Sequence, residues 1–456
     1  MRPQRTLSRG DVAWSYFSQA AQYGSGLIAL PFLLRYLSPE SFGLWSAFLL
    51  VSSVVQLLDF GLQPALIRHV AYCTAGRRVE KSDIALLAYV RAARSIYRWL
   101  VLVLLLVQVG VGSAYLNFIA PSITSRELAA WLIFALGSSA SFYAAHYGAI
   151  LQGIHRVGVA QKINSVSRVA NLAVTIIFLV LGYGLLACAA GAALGGLIAM
   201  KLYRGCLRET IVASAAAPIV THQAEVKAAR SALTKTAKSL GSVSVAGFLI
   251  LRSTSLAASL FLALNEFAAF SLATQVFQAL VSLARVRFTA SVALMSEAAH
   301  QKDLTRFLKI YRTGTRHSWL LFALGSMMVV GFGPTVVAVI NEKAISLGRI
   351  SLFCMAGLYF LEVIHGNASI ALTCFNKVPF VVAAWVTGIA ISAGSFTLGL
   401  LVPNNPLALV LVQLLVQLSY NAWRWPLELR RICQTPSTNE TEPSNNLNRD
   451  SRLRED

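Results

Sequence analysis

The sequence predicts an all-α polytopic membrane protein. About twelve transmembrane helices are expected, in two pseudo-symmetric six-helix lobes around a central cavity. Three observations lead there. Of the 456 residues, 56 % are hydrophobic and 13 % are charged, about half the charge of an average soluble domain. Apolar runs of about 20 residues, the length that crosses a bilayer, recur along the whole chain. The two halves also carry matching segments at a near-constant offset. A soluble protein would have no place to bury so many apolar runs, which excludes that class.

The runs place helices near 12–35, 42–66, 98–119, 128–150, 158–181, 184–203, 238–261, 266–290, 317–340, 348–372, 379–402 and 406–426. The net charge is +20, and the 39 Lys and Arg sort by side. With the N-terminus in the cytoplasm, Arg2, Arg5 and Arg9 lie inside. So do the basic clusters within 68–98, 156–168, 201–238 and 285–316, then Lys377 and the C-terminal arginines. Arg35, Arg126, Lys343 and Arg349 fall outside, and Arg252 lies within a span. This obeys the positive-inside rule and predicts that both termini are cytoplasmic. The basic balance therefore reports topology and attraction to anionic lipid, with no nucleic-acid partner implied. The first apolar run is too long for a cleavable signal peptide. The six cysteines have no metal-like spacing, so neither disulfides nor a metal site are expected.

Outer connections such as "LGYGLL" and "VPNNPL" are mere turns, with no room for an extramembrane module. The longest inner connection, 204–237, holds "THQAEVKAARSALTKTAKSL", a basic amphipathic stretch expected to lie along the membrane surface. It separates an N-terminal six-helix lobe, 1–203, from a C-terminal one, 238–434. The polar tail, 435–456, is expected to be disordered. "LSPESFGLWS" (37–46) aligns with "LALNEFAAFS" (262–271), and "LQGIHRV" (151–157) with "LTCFNKV" (372–378). The two alignments are nearly in register with each other. Six is even, so the repeats enter the membrane from the same side, with a site expected between them.

"LPFLLRYLSPESFGLWSAF" followed by "LLDFGLQPALIRHVA" resembles the first two helices of Wzx-type O-antigen and polysaccharide flippases. These belong to the multidrug/oligosaccharidyl-lipid/polysaccharide (MOP) flippase superfamily. The resemblance is strongest over residues 12–72 and mostly topological after residue 200. In the second half many relatives carry Gly-x-Tyr-Ser where this chain has "AAFS". The resemblance implies a V-shaped pair of lobes around a cavity in the bacterial inner membrane. It also implies an activity: moving undecaprenyl-diphosphate-linked oligosaccharide from the cytoplasmic to the outer leaflet by alternating access, for O-antigen, exopolysaccharide or capsule synthesis. Implied partners are the lipid-linked oligosaccharide, membrane lipids, a polysaccharide polymerase and chain-length-control proteins.

Ionised groups inside a membrane are costly unless they face water or a partner, which singles out a few residues. Asp59 lies about 25 Å down the second helix at 1.5 Å per residue, near the inner edge of the hydrocarbon. Arg68 follows in the headgroup zone. Asp59 either caps or pairs with a neighbouring helix while Arg68 anchors, or Gly61 and Pro64 loosen the helix so that both charges line the inner cavity mouth. Arg252 sits in mid-span, where a guanidinium grips diphosphate oxygens bidentately or forms an ion pair across the lobes. Glu362 and His365 are three apart and share a helix face, suited to a proton relay; alternatively Glu362 pairs with Arg252. Gln19 and Gln22 lie on a seam with Ser15, Ser18 and Gly26 that fits either sugar hydroxyls or close helix packing. Arg168, with Asn164 and Asn171, is an inner anchor or a cavity residue.

No Gly-x-x-x-x-Gly-Lys-Ser/Thr loop occurs, so ATP is not the direct drive. No cofactor is expected, and H+ or Na+ is the coupling ion to consider. A MATE-like antiporter of small molecules would need an acid-dominated cavity, whereas one central Arg stands against one central Glu. A membrane-embedded polysaccharide polymerase or ligase would need catalytic groups on a substantial outer loop. A scaffold would not need buried charge. The topology is tested by cysteine accessibility in a Cys-free background: Asn404→Cys and Ser346→Cys should be labelled from outside intact cells, and labelling of Thr221→Cys would contradict the orientation.

Overall fold

The computed structural model describes residues 24–26, 28–74, 79–214, 223–341, 346–375 and 379–434. The tail 435–456 and the pair Gln19 and Gln22 lie outside these residues. Every regular element among them is helical, and ten segments are long and apolar enough to cross a membrane.

The chain opens with α1 (28–36), α2 (Pro39–Gln56), a 3-10 turn (Leu57–Asp59) and α3 (Leu62–Thr74). Next, α4 (Val79–Val107) runs through a π turn (Gln108–Gly112) into α5 (Ser113–Ile119). The first half ends with α6 (Ser125–Gly153), α7 (Val157–Val180) and α8 (Leu185–Ser214). The second half comprises α9 (Gln223–Phe261), α10 (Leu264–Ala290), α11 (Val292–His300), α12 (Leu304–Ile340), α13 (Arg349–Thr373) and α14 (Val381–Leu401). It closes with α15 (Pro406–Val416), a π turn (Gln417–Asn421) and α16 (Ala422–Gln434). Helix starts repeat between the halves. Pro39 corresponds to Leu264, Ser125 to Arg349, Val157 to Val381 and Leu185 to Pro406, with nearly the same separation each time.

Local chemistry sets these starts. Thr124 and Glu127 form a reciprocal capping box at α6, satisfying two otherwise orphaned donors. Asn405 caps α15, and Pro406 supplies the preset φ of a first helical residue. The second crossing breaks where "DFGLQP" predicts a disturbance. Phe60 (φ 43°) and Gly61 (φ 72°) are both left-handed, a region Gly occupies without steric cost.

Several boundaries differ from expectation, and the helix expected to end at 203 runs to Ser214. The helix expected from 98 begins at Val79, and the one expected from 317 begins at Leu304. Hydropathy marks only the apolar part of a helix, whereas Arg, Lys, Ala and Leu continue it into the headgroup layer. The stretch expected to lie along the membrane surface is instead the start of α9, continuous with the seventh crossing. Its apolar stripe is taken by protein: Ala229, Leu233 and Ala237, each one turn from the next, are buried in one core with Leu62, Leu66, Val90 and Tyr97. His69 Nε2 lies 2.9 Å from Thr236 Oγ1 and fixes this contact.

The cores show how the lobes meet. One core is shared: Leu44 and Phe48 of α2 and Trp131 of α6 pack with Phe267 and Phe277 of α10 and Tyr359 of α13. Asn341, after α12, donates to the Leu34 carbonyl of α1 at 2.7 Å. This is the end where α2 and α10 begin. At the opposite end, where the Lys and Arg cluster, there are two cores. One belongs to the first half with the start of α9. The other joins Phe288, Met295, Phe307, Leu372 and Trp425 of the second half. The result is a pair of helical lobes joined at one end and separate at the basic end.

Candidate functional site

The charged groups predicted in the second lobe come together on α9, α10 and α13. Arg252 precedes the end of α9 at Phe261, and Tyr359 follows the start of α13 at Arg349. At 1.5 Å per residue both are about 14–15 Å from the joined end, near mid-bilayer. Tyr359 is buried, stacks on Phe277 with ring centroids 5.6 Å apart, and lies within electrostatic reach of both Arg252 and Glu362. Glu362 follows one helical turn later, and its carboxylate pairs with Arg285 of α10 at 4.0 Å. The Arg285 guanidinium also donates to the Glu362 carbonyl.

The backbone is shaped for that arginine. Gly366 lies beneath the Arg285 guanidinium, and a Cβ there would overlap it. His365 shares the Glu362 face. Its Nε2, and both polar atoms of Asn367, have no hydrogen-bond partner among the described residues.

The reading in which Glu362 pairs with Arg252 is corrected. Arg252 reaches α13 at the level of Tyr359, one turn from Glu362, while Arg285 rises from the basic end of α10 across Gly366. The sequence counted Arg285 among the inner-side anchors. The signal that would have found it is small: a Gly one turn after a buried Glu, and an Arg at the end of a helix packed against it. With Glu362 neutralised, Arg252 keeps a positive charge in mid-membrane, and no ion pair among the described residues uses it.

The other predicted residues are dispersed in the first lobe. Asp59 caps the restarted helix, accepting from the Gln63 N–H at 3.3 Å and from the Tyr97 hydroxyl of α4. Tyr97 in turn lies against buried His146 of α6. Arg68 is exposed on α3 and donates to Tyr72 at 2.8 Å. Arg168 is exposed in the middle of α7, with Tyr203 of α8 in electrostatic reach. Asn164 accepts from Tyr203 at 2.9 Å. Among these residues, only Glu362 and His365 share one site with Arg252.

Among solved structures the fold is that of the MOP superfamily. An inward-facing multidrug resistance MATE transporter of that superfamily aligns over 92 % of this chain and 96 % of its own, with a TM-score of 0.65 and 14 % identity. The lipid II flippase MurJ in an inward closed conformation aligns over 93 % and 88 %, with a TM-score of 0.65 and 11 % identity. A MOP transporter from Pyrococcus furiosus aligns over 93 % and 96 %, with a TM-score of 0.57 and 12 % identity; its binding pocket is described as having reverse polarity. No family profile and no curated protein sequence matches the chain. The chain is thus a multi-pass membrane protein with the two-lobed MOP fold.

A double-mutant cycle tests the ion pair. Glu362→Gln leaves Arg285 buried without its counter-charge and should destabilise the protein by roughly 3 kcal/mol. Arg285→Gln/Glu362→Gln should regain most of that loss. Thermal unfolding of purified protein reads both, and strictly additive losses would mean that the two residues do not interact.

Proposed function

We propose that the protein is a secondary transporter that flips an undecaprenyl-diphosphate-linked oligosaccharide from the cytoplasmic to the outer leaflet of the bacterial inner membrane. The carrying observation is the charge balance of the second-lobe site: two guanidinium groups, Arg252 and Arg285, against one carboxylate. An uncompensated cation in mid-membrane calls for an anionic cargo, and a guanidinium binds diphosphate oxygens with paired donors. Support comes from the first two helices, which resemble polysaccharide flippases, and from a fold shared with a protein named a lipid II flippase. An antiporter of cations would need carboxylate in excess, and the Glu362 carboxylate is already paired.

In this scheme Arg252 holds the diphosphate. Arg68 and Arg168 attract the headgroup from the first lobe, and Gln19 and Gln22 meet sugar hydroxyls. Glu362 and His365 couple transport to H+ or Na+, with Asp59 as the first-lobe carboxylate. Both termini and the 204–237 connection are cytoplasmic, so the separate ends of the lobes face the cytoplasm and admit the substrate. A polysaccharide polymerase and chain-length-control proteins act on the product.

Arg252→Lys keeps the charge and loses the fork of donors, so flipping should fall substantially; Arg252→Ala should abolish it. A charge-assisted bond of this kind is worth about 1.5–3 kcal/mol, roughly ten- to a hundredfold in affinity. Reconstituted vesicles with a fluorescent lipid-diphosphate glycan provide the measurement. Wild-type flipping by Arg252→Ala would show that the phosphates are held elsewhere.

A further inference from the structure

A groove of about 350 Å³ lies on the flank of the first lobe, between α4, α6 and α8. It is separate from the second-lobe charge cluster, and its size falls within the range of roughly 300–1,000 Å³ typical of ligand sites. Arg98 and Leu136, both exposed, open it to the surface.

Arg98, Tyr143 and Met200 end the lining on one side, and Arg94, Tyr147 and Arg204 lie one turn beyond them on the same helix faces, so polarity runs along the helix axes. On α4 one stripe carries Arg94, Arg98, Val101 and Leu105, at helical spacing and so on one face. On α6 the matching stripe is Leu136, Ala140, Tyr143 and Tyr147. Met200 and Arg204, one turn apart, complete it on α8. One end of the groove is therefore mostly apolar, built from Val101, Leu105, Leu136 and Ala140, with the Ser139 hydroxyl donating to Gln108. The other end is basic and aromatic.

Depth places the change of character. Three helices measure it independently from the joined end. Arg98 is reached by counting back from Ile119 at the end of α5, Tyr143 by counting on from Ser125 in α6, and Arg204 by counting on from Leu185 in α8. At 1.5 Å per residue the three paths give about 27–32 Å. That equals the hydrocarbon thickness of about 30 Å, so the basic groups meet the headgroup layer while the apolar stretch stays in the acyl region. Exposed Trp99 marks the same boundary.

The basic end also has unmet bonding capacity. Arg94 Nε is buried and has no hydrogen-bond partner among the described residues. Arg94 is within electrostatic reach of His146, and Tyr147 is within reach of both Arg94 and Arg204. Donors and positive charge thus converge beside an apolar slot, at the depth of a phosphate ester.

We propose that this groove binds an anionic glycerophospholipid of the leaflet at the basic end, one acyl chain along α4 and α6 and the phosphate among Arg94, Arg98 and Arg204. In the orientation given above that is the cytoplasmic leaflet, where anionic lipid attracts basic groups. A lipid there ties α4, α6 and α8 together at the end where the lobes are separate. The site does not depend on which cargo crosses the central space.

Native mass spectrometry of the full chain in detergent, with equal amounts of phosphatidylglycerol and phosphatidylcholine, tests it. The wild type should retain one phosphatidylglycerol in preference to phosphatidylcholine. Arg94→Gln/Arg98→Gln should weaken that retention by roughly tenfold. Ala140→Phe leaves every charge in place and fills the apolar slot, and it should lose the lipid as well. Arg312→Gln, a basic residue of the second lobe, should retain it. So should Arg252→Ala, which separates this groove from the proposed cargo site. Undiminished lipid retention in both groove variants would overturn the proposal. So would equal retention of phosphatidylcholine, displacement by sn-glycerol 3-phosphate alone, or loss of the lipid in Arg252→Ala.

Discussion

A guanidinium held near mid-bilayer without a carboxylate partner among the described residues is the constraint on which the rest depends. Water and lipid present opposite terms to Arg252. It must bond to an anion or face a hydrated space, because an isolated charge in hydrocarbon is too costly. The second lobe is arranged around that requirement. Arg285 satisfies Glu362 across the gap left by Gly366, so this carboxylate is already engaged one turn from the level of Arg252. The consequence is a positive surplus among the described charged groups of the site, from which cargo selectivity follows under the proposed function.

The architecture gives the site its access. A single core joins the lobes where α2 and α10 begin, and two separate cores hold them at the basic end. Such a body opens toward its basic end. The long helix α9 spans the junction: its first turns pack on α3 and α4, and its later part packs on α14, where Ser253 meets Ser392 at 2.7 Å. The left-handed break at Phe60 and Gly61 interrupts the second crossing beside the first half of α9, with Phe60 against Gly241.

Much of the fold was legible in the sequence because apolar length and charge sorting are properties of single segments. The repeat was visible in "LSPESFGLWS" and "LALNEFAAFS", and the helix starts at Pro39 and Leu264 reproduce its offset. What hydropathy could not show was how far charged helices run past the bilayer, as at Val79 and Leu304, because solvated basic turns carry no apolar signal. The amphipathic stretch before α9 had the composition of a surface helix, and only the first lobe's core reveals that its stripe is buried by protein. Arg252, Glu362 and His365 stood out because charge in an apolar run is rare. Their pairing did not, since it depends on which helix neighbours α13 and on the space above Gly366. Asp59 was recognised as a cap or a partner, but the Tyr97 hydroxyl that fills the second role comes from a different helix, far along the chain.

The sign of the site is most directly measured by equilibrium binding to the purified protein, with three fluorescent probes of matched hydrophobicity: a prenyl-diphosphate glycan, its uncharged dephosphorylated counterpart and a lipophilic cation. A positive surplus at Arg252 requires that the diphosphate probe bind tightest, and that Arg252→Ala weaken it by roughly ten- to a hundredfold while leaving the uncharged probe unaffected. Tighter binding of the cation, or diphosphate binding indifferent to Arg252, would contradict the central claim.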